Sequence, residues 1–280
     1  MPELPEIEAI RRTLAPLVVG RTLRVEAIGP HDMRARGEGR GTGRRRAWIS
    51  ARELLDGARI ERLARRGKRL GILARDGRAL VVQLGMSGQL VAADDAEATH
   101  RHVTWSIGGR RVPLVFRDPR RFGGVTPYPT HAAMLACWDE ELGPDGLALT
   151  AEELGDRLRG TRAVKAALLD QRVVAGVGNI YADESLHRAG IDPRARCERL
   201  DPSRIAALAN EIRAILRLSS DRGGSTVRDH RTGRGTPGAA QDLHLVYGRT
   251  GEPCRGCRTP LRGTRVAGRA TVWCPRCQRR

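Results

Sequence analysis

The sequence predicts an α+β protein with one leading helix, an N-terminal antiparallel β-sandwich, a helical region and a C-terminal β-hairpin that carries a metal site. Two observations predict this order, namely the changing spacing of apolar residues along the chain and the position of the cysteines. Apolar residues recur at helical spacing at the N-terminus, alternate in short runs to about residue 128, and then return to helical spacing. Two Cys-x-x-Cys pairs lie near the C-terminus. The predicted sandwich domain, linker, helical domain and cysteine region are residues 1–128, 129–150, 151–242 and 243–280.

The leading helix is predicted from apolar residues three and four positions apart, and it should end near Gly20 (Leu4, Ile7, Ile10, Leu14, Leu17). Pro5 and Glu6 suit its first turn, because proline needs no N–H partner there and a carboxylate is favoured at a helix N-terminus. That local role of Glu6 and a role in a functional site both stay open.

The sandwich is predicted from short apolar or alternating runs separated by the turn signals Asp76-Gly77 and Gly108-Gly109 (residues 23–25, 80–84, 103–105 and 112–116). Residues 34–46 are rich in Gly and Arg without periodicity, which predicts a mobile basic loop.

Helical spacing returns at residues 151–158, 162–171 and 181–188. A further helix starts at Asp201-Pro202, with Asp as the cap and Pro in the first turn. Asn179 follows a Gly-Val-Gly step, so it either caps the next helix or marks a helix start whose N–H groups bind an anion. Residues 229–242 read as a loop.

The cysteine region contains the most specific motif of the chain. Cys254 and Cys257 are separated by sixteen residues from the second pair, Cys274 and Cys277. Four thiolates at this spacing are typical of one structural tetrahedral Zn²⁺. The intervening segment predicts an Arg-rich β-hairpin with its turn at Ala267-Gly268, and a contact of this hairpin with a ligand stays open.

Composition predicts a nucleic-acid partner. Fifty basic residues against thirty-two acidic ones give a net charge of +18, spread along the chain. An Arg-rich coding bias is the alternative explanation, since only two of the fifty are lysines. Lys68 and Lys165 are therefore candidates for point contacts to phosphate, which a planar guanidinium makes less well. No apolar run approaches the ~20 residues of a membrane span, and no signal pattern opens the chain, so we expect a cytoplasmic protein.

Six short segments and the four cysteines resemble the formamidopyrimidine-DNA glycosylase family, also called MutM, within the group that includes endonuclease VIII. The segments occur in one order and cover essentially the whole chain (Pro2-Glu3-Leu4-Pro5-Glu6, Arg66-Gly67-Lys68, Leu84-Gly85-Met86-Ser87-Gly88, Asp118-Pro119-Arg120-Arg121-Phe122-Gly123, Gly178-Asn179-Ile180-Tyr181-Ala182, Gly268-Arg269). The resemblance implies a helix-two-turns-helix domain and a zinc finger. It also implies a monomeric, nucleoid-associated enzyme of base excision repair that acts on damaged duplex DNA.

The implied activity is that of a bifunctional DNA glycosylase and abasic-site lyase. If Met1 is removed, Pro2 becomes a secondary amine whose pKa is about 8, so part of it is a free nucleophile at neutral pH. Attack on C1′ of the sugar displaces the base and leaves an iminium ion, from which β- and δ-elimination follow. The resemblance gives Glu3 the proton transfers and makes Lys68 and Arg269 the other catalytic residues.

The resemblance also implies a set of DNA contacts. Lys68, Asn179 and Arg269 bind phosphates around a nucleotide that rotates out of the duplex. Met86, Arg120 and Phe122 fill the gap and hold the orphan base, although core packing is the ordinary role of a Met or Phe. The remaining DNA-binding residues are Glu6, His100, Lys165 and Arg228.

One segment departs from the family pattern. Residues 229–242 lack the aromatic residue expected after Pro237-Gly238, in the loop that covers the flipped base. Leu4 and the set Met86, Arg120 and Phe122 nevertheless favour oxidised purines, namely 8-oxoguanine and formamidopyrimidines. The alternatives are an endonuclease VIII-like preference for oxidised pyrimidines, a non-catalytic zinc-finger protein that only binds lesions, and an RNA-binding ribbon protein.

Overall fold

The computed structural model describes residues 2–31, 33, 49–92, 99–227 and 230–280. The predicted basic loop, 34–46, lies outside these residues. The chain forms two compact units, Met1–Glu140 with Gly223–Ala239, and Glu141–Arg222 with Ala240–Arg280. This division differs from the predicted one, because residues 223–239 pack with the first unit rather than with the helical domain.

The first unit is an antiparallel β-sandwich preceded by helix α1 (Leu4–Val18), which confirms the predicted fold class. The two four-stranded sheets have the orders β1-β6-β7-β5 and β2-β3-β4-β8. Both sheets and α1 contribute to one apolar core, where Trp105 is fully buried and donates its Nε1–H to Leu54 O over 2.7 Å. The strands are Leu23–Ile28, Ile60–Arg66, Arg69–Ala74, Ala79–Gln83, Gln89–Ala92, Arg101–Ile107, Leu114–Arg117 and Gly124–Tyr128, numbered β1 to β8.

A helix, α2 (His131–Glu141), occupies part of the segment predicted as a linker. Its only two buried side chains, Met134 and Trp138, lie against β3 at Gly71. A Cβ on Gly71 would come within 3.1 Å of the Met134 sulfur and 3.2 Å of the Trp138 ring. Two buried residues give too weak a periodicity to predict a helix, so the tertiary contact with the sheet defines it.

The second unit contains helices α3 to α6 and the hairpin β9–β10. The predicted cap of α6 is confirmed, since the Asp201 carboxylate accepts the Arg204 N–H over 3.0 Å. None of the helices in the described ranges is long and apolar enough to cross a membrane. The elements are α3 Ala151–Arg157, α4 Val164–Leu168, α5 Asn179–Arg188, α6 Pro202–Asp221, β9 Arg262–Val266 and β10 Arg269–Trp273, with short 3-10 helices at Cys197–Arg199 and Ala240–Leu243.

An ion-pair network centred on the buried Glu8 ties α1 to β2. Glu8 accepts hydrogen bonds from Arg11, Arg12 and Arg65, at distances of 2.6 to 3.0 Å. Arg65 also donates to Gly67 O over 3.1 Å, in the turn that carries Lys68. Burial raises the pKa of Glu8, but the hydrogen bonds and charges of Arg65 and Arg11 outweigh it and lower that pKa to about 2.

A Glu8→Gln variant is expected to lose stability in a pH-dependent way. Because the folded-state pKa of Glu8 is depressed, its contribution is present above the unfolded value of about 4.3 and disappears as the pH falls toward 2. The deficit should reach up to about 3 kcal/mol at pH 7 and shrink below pH 4, measured as the free energy of urea unfolding. Glu61→Gln, on the exposed side of β2, is the control and should change stability by less than about 0.5 kcal/mol. A deficit that is equal at pH 7 and pH 3 would contradict the pairing.

Candidate active site and metal centre

The start of α1 presents the predicted nucleophile and acid. Pro2, Glu3 and Glu6 are all buried, and Glu3 has the extended backbone of a helix N-cap. The Glu6 carboxylate accepts the Glu3 N–H over 2.7 Å and the Ser225 N–H over 2.6 Å. Glu6 thus fulfils the local helix-terminal role and also anchors a segment more than two hundred residues away; its contact with DNA stays a prediction.

Besides the bond between Glu6 and Ser225, further contacts hold the segment 223–239 against the first unit. Gly224 has a φ of +79°, and a Cβ there would lie 2.9 Å from Glu6. Gly233 accepts the N–H of Ala92 over 2.7 Å and donates its own N–H to Thr13 over 2.8 Å. Of the predicted covering loop, 229–242, residues 230–239 therefore belong to the sandwich unit, whereas residues 240–242 belong to the second unit. Arg228 lies outside the described residues.

Lys68 and His100 lie at turns of the sandwich. Lys68 follows Gly67, whose φ of +55° makes the tight turn between β2 and β3. His100 precedes β6 with a φ of +60° and lines a cleft of about 350 Å³. The cleft is predominantly basic, since its other polar side chains are His31, Arg101, His102, Asp118 and Arg121. Such a lining suits an anion.

Met86 and Phe122 are exposed rather than part of the core. Their side chains are 41% and 43% accessible to solvent, which rules out ordinary core packing for both. The Arg120 guanidinium lies over the Phe122 ring, 4.8 Å from its centroid. Two large apolar groups and a cation are thus displayed on neighbouring loops, which is the combination needed to enter a base stack and bind a base edge.

Asp118 organises these two loops, a role that sequence reasoning did not assign to it. It is buried, accepts the Ser87 hydroxyl over 2.6 Å, and accepts the Gly123 N–H over 2.7 Å. A Cβ on Gly85 would collide with the backbone of Phe122 at 2.4 Å, so the loops are in direct contact. The sequence signal for this role of Asp118 was its position directly before Pro119, as the acidic residue of a basic motif.

Lys165 differs from its predicted role as a point contact to a DNA phosphate. Its side chain is 0% exposed, and its ammonium lies 2.6 Å from Asp183 Oδ1, 2.8 Å from Thr271 Oγ1 and 3.0 Å from Ala270 O. Burial raises the pKa of Asp183 to about 6, with the Lys165 charge opposing the shift. Asp183 also accepts the Val272 N–H over 3.1 Å. The pair therefore holds β10 against α4 and α5.

Asn179 and Arg269 are brought together by the same strand. Asn179 does not cap α5, as one of the two sequence interpretations proposed; Gly178 is the N-cap. Instead the Asn179 amide donates to Ala270 O over 3.0 Å, next to the exposed Arg269 at the start of β10. Ala267 and Gly268, with φ of +48° and +71°, form the predicted hairpin turn immediately before Arg269.

The four cysteines form one metal site. Their sulfur atoms all lie within 4.8 Å of one another, with 3.4 Å between Cys257 and Cys274 and 4.0 Å between Cys254 and Cys277. A tetrahedral Zn²⁺ with Zn–S bonds of about 2.3 Å requires sulfur separations of about 3.8 Å, so the donor set fits zinc. The site packs with Val246, Leu261 and Val272 at the base of the hairpin, and the zinc is structural.

Comparisons with known proteins agree with this arrangement. Three family models match, the formamidopyrimidine-DNA glycosylase N-terminal domain over residues 1–125, the formamidopyrimidine-DNA glycosylase H2TH domain over 142–231, and the zinc finger found in FPG and IleRS over 251–280. The chain is 42% identical to the formamidopyrimidine-DNA glycosylases of Stutzerimonas stutzeri and Geobacillus kaustophilus, and both alignments cover all of each chain.

Solved structures show the same likeness. The MutM (Fpg) protein of Thermus thermophilus is 37% identical with a TM-score of 0.82, covering 99% of this chain and 98% of that one. A Lactococcus lactis Fpg variant in complex with DNA containing Fapy-dG is 31% identical with a TM-score of 0.86, covering both chains fully. The family models account for most of the chain, and the relatives align from end to end. The protein therefore belongs to the formamidopyrimidine-DNA glycosylase family.

Proposed function

We propose that this protein is a bifunctional DNA glycosylase and abasic-site lyase that removes oxidised purines from duplex DNA. The observation that carries the proposal is the sequence Pro2-Glu3 directly before the buried first turn of α1, in a chain of this family. The Lactococcus lactis relatives, solved with Fapy-dG DNA and with abasic-site DNA, support both substrates. We further propose that it acts as a monomer in the cytoplasm, associated with the nucleoid.

The chemistry begins at the Pro2 nitrogen once Met1 is removed. The lone pair of this secondary amine attacks C1′ of the sugar, the glycosidic bond between C1′ and the base breaks, and the base leaves with the bonding electrons and takes up the proton that the Pro2 nitrogen loses. Glu3 donates a proton to the ring oxygen, which opens the sugar and leaves an iminium ion at C1′. Loss of a C2′ proton then expels the 3′ phosphate, a second elimination expels the 5′ phosphate, and hydrolysis frees Pro2.

The cationic residues supply phosphate binding. In the first unit, Lys68 lies in the β2–β3 turn, and His100 borders the basic cleft. In the second unit, the Asn179 amide donates to Ala270 O, and the exposed Arg269 directly precedes Ala270 in β10. The high net charge adds a sequence-independent attraction, and neutralisation of about six phosphates gives a log–log salt slope near −5.

The substrate class is tested by single-turnover cleavage of two duplexes. We expect 8-oxoguanine opposite cytosine to be excised at least about tenfold faster than thymine glycol, as expected for a pocket that binds the purine. Faster cleavage of thymine glycol would support the endonuclease VIII-like alternative. Binding of both duplexes without strand cleavage would support the non-catalytic alternative, and equal affinity for duplex RNA would support the RNA-binding alternative.

Phe122→Ala is expected to slow excision without destabilising the fold. Because the ring is exposed, the free energy of unfolding should change by less than about 0.5 kcal/mol. Loss of a stacking aromatic should weaken the lesion complex by about 1–3 kcal/mol, which corresponds to roughly 5- to 150-fold in kcat/KM. Leu135→Ala is the matched control, since Leu135 is 40% exposed on α2 and belongs to neither loop. Equal activity of the two variants would contradict the role of Phe122.

A further inference from the structure

His187, on α5, contacts the metal site without belonging to its ligand set. Its Nε2 lies 3.6 Å from Cys254 Sγ. The four thiolates already complete a tetrahedron, and a zinc-bound imidazole nitrogen would lie at about 2.0–2.1 Å from the metal. The distance between Nε2 and the sulfur instead fits a hydrogen bond from a residue that does not bind the metal itself. In such a bond the N–H donates to a metal-bound thiolate.

The other nitrogen of the ring supports this assignment. His187 Nδ1 is buried and has no hydrogen-bond partner among the described residues. An apolar side chain of similar size would fill the same space without leaving a buried polar atom unpaired. The contribution that distinguishes histidine here is therefore the contact of Nε2 with the Cys254 sulfur.

Helix α5 also holds the segment that precedes Cys254. One turn earlier on the same helix, Glu184 is fully buried and accepts the N–H groups of Leu245, Val246 and Tyr247 over 2.8 to 3.0 Å. These residues precede Cys254 by seven to nine positions, so Glu184 and His187 of α5 hold two successive parts of this segment.

The second cysteine pair is linked to the residues after α5 by hydrogen bonds of Gln278. Gln278 accepts the Cys274 N–H over 2.7 Å and donates to Ile191 O over 2.8 Å, just beyond the end of α5. The first pair lacks an equivalent glutamine, and within the described part of the chain His187 is the group that bonds its buried sulfur from α5.

We propose that His187 is a positioning residue of the zinc site, which donates its Nε2–H to the Cys254 thiolate and thereby orients that ligand and offsets part of the negative charge of the four-thiolate centre. Partners of this kind typically change metal affinity by about 10- to 100-fold when removed. The proposal depends on the zinc site and is independent of lesion specificity.

The test compares two substitutions of similar length in the full-length protein, His187→Gln and His187→Met. Only glutamine keeps an N–H donor. We expect His187→Met to bind zinc about 10- to 100-fold more weakly than wild type, and His187→Gln to stay within a few-fold of it, measured by competition with a chromophoric chelator. His244→Phe is the control for loss of a buried histidine, because the His244 ring packs on Tyr247, 5.5 Å away, in the same unit.

Two results would overturn the proposal. One is equal zinc affinity of the Gln and Met variants, whether both match wild type or both are weakened. The other comes from the cobalt-substituted proteins, whose absorption reports the ligand set. We expect wild type and His187→Met to show the same four-sulfur spectrum, whereas loss of a nitrogen-ligand signal in the variant would make His187 a ligand.

Discussion

Blocking the Pro2 nitrogen is expected to abolish both base excision and strand cleavage. An N-terminal extension that the cell does not remove keeps this nitrogen in a peptide bond, where its lone pair is delocalised and no iminium ion can form. We expect single-turnover excision of 8-oxoguanine to fall by at least about 10³-fold, the scale seen when a catalytic nucleophile is removed. Borohydride should trap no covalent adduct with abasic-site DNA.

The controls separate the nucleophile from the helix that carries it. Pro5→Ala alters the first turn of the same helix but leaves the terminal amine, so excision should stay within a few-fold of wild type. Pro2→Gly keeps a primary amine at the terminus, and we expect it to form less adduct than wild type. An adduct formed at the wild-type rate by the blocked protein, or fully active protein that retains Met1, would contradict the role of Pro2.

Lys165→Met is expected to destabilise the second unit by about 3–5 kcal/mol, because it leaves the Asp183 carboxylate buried without its cation. The loss should appear as a lower free energy of urea unfolding. A protonated carboxyl has no charge to desolvate, and burial already raises the pKa of Asp183 to about 6. The deficit should therefore be smaller at pH 6 than at pH 8.

A double variant distinguishes loss of the pair from loss of packing. Replacing both partners, as Lys165→Met with Asp183→Leu, removes the orphaned charge, and we expect it to be more stable than Lys165→Met alone. Both the single and the double variant should weaken DNA binding, because β10 carries Arg269 and the carbonyl that Asn179 contacts. A Lys165→Met variant within about 1 kcal/mol of wild type would show that the buried pair is not required.

The sequence predicted the elements whose causes are local. Apolar spacing and a proline in the first turn define α1, Asp201 caps α6, and a positive-φ glycine marks the hairpin turn. The cysteine pairs predicted the zinc site because Cys-x-x-Cys geometry is set within four residues. Helix α2 was missed because only two of its side chains are buried.

The residues whose interpretation changed are those with distant partners. Lys165 contacts Thr271, which is 106 positions away, and Glu6 contacts Ser225, which is 219 positions away. No local pattern shows whether a lysine faces phosphate or a buried carboxylate. Asp118 likewise acts through Ser87, in a loop that its own motif does not contain.

The sequence by itself determined the family, the α+β class, the zinc ligands and the placement of Pro2 directly before the acid Glu3. These depend on residue types at fixed short spacings. The tertiary structure alone decided that Met86 and Phe122 are exposed, that Lys165 is buried, that Glu6 anchors residues 223–239 and that His187 meets Cys254. Burial and long-range pairing arise only when segments distant along the chain pack together, and a linear pattern does not encode which side chains then become neighbours.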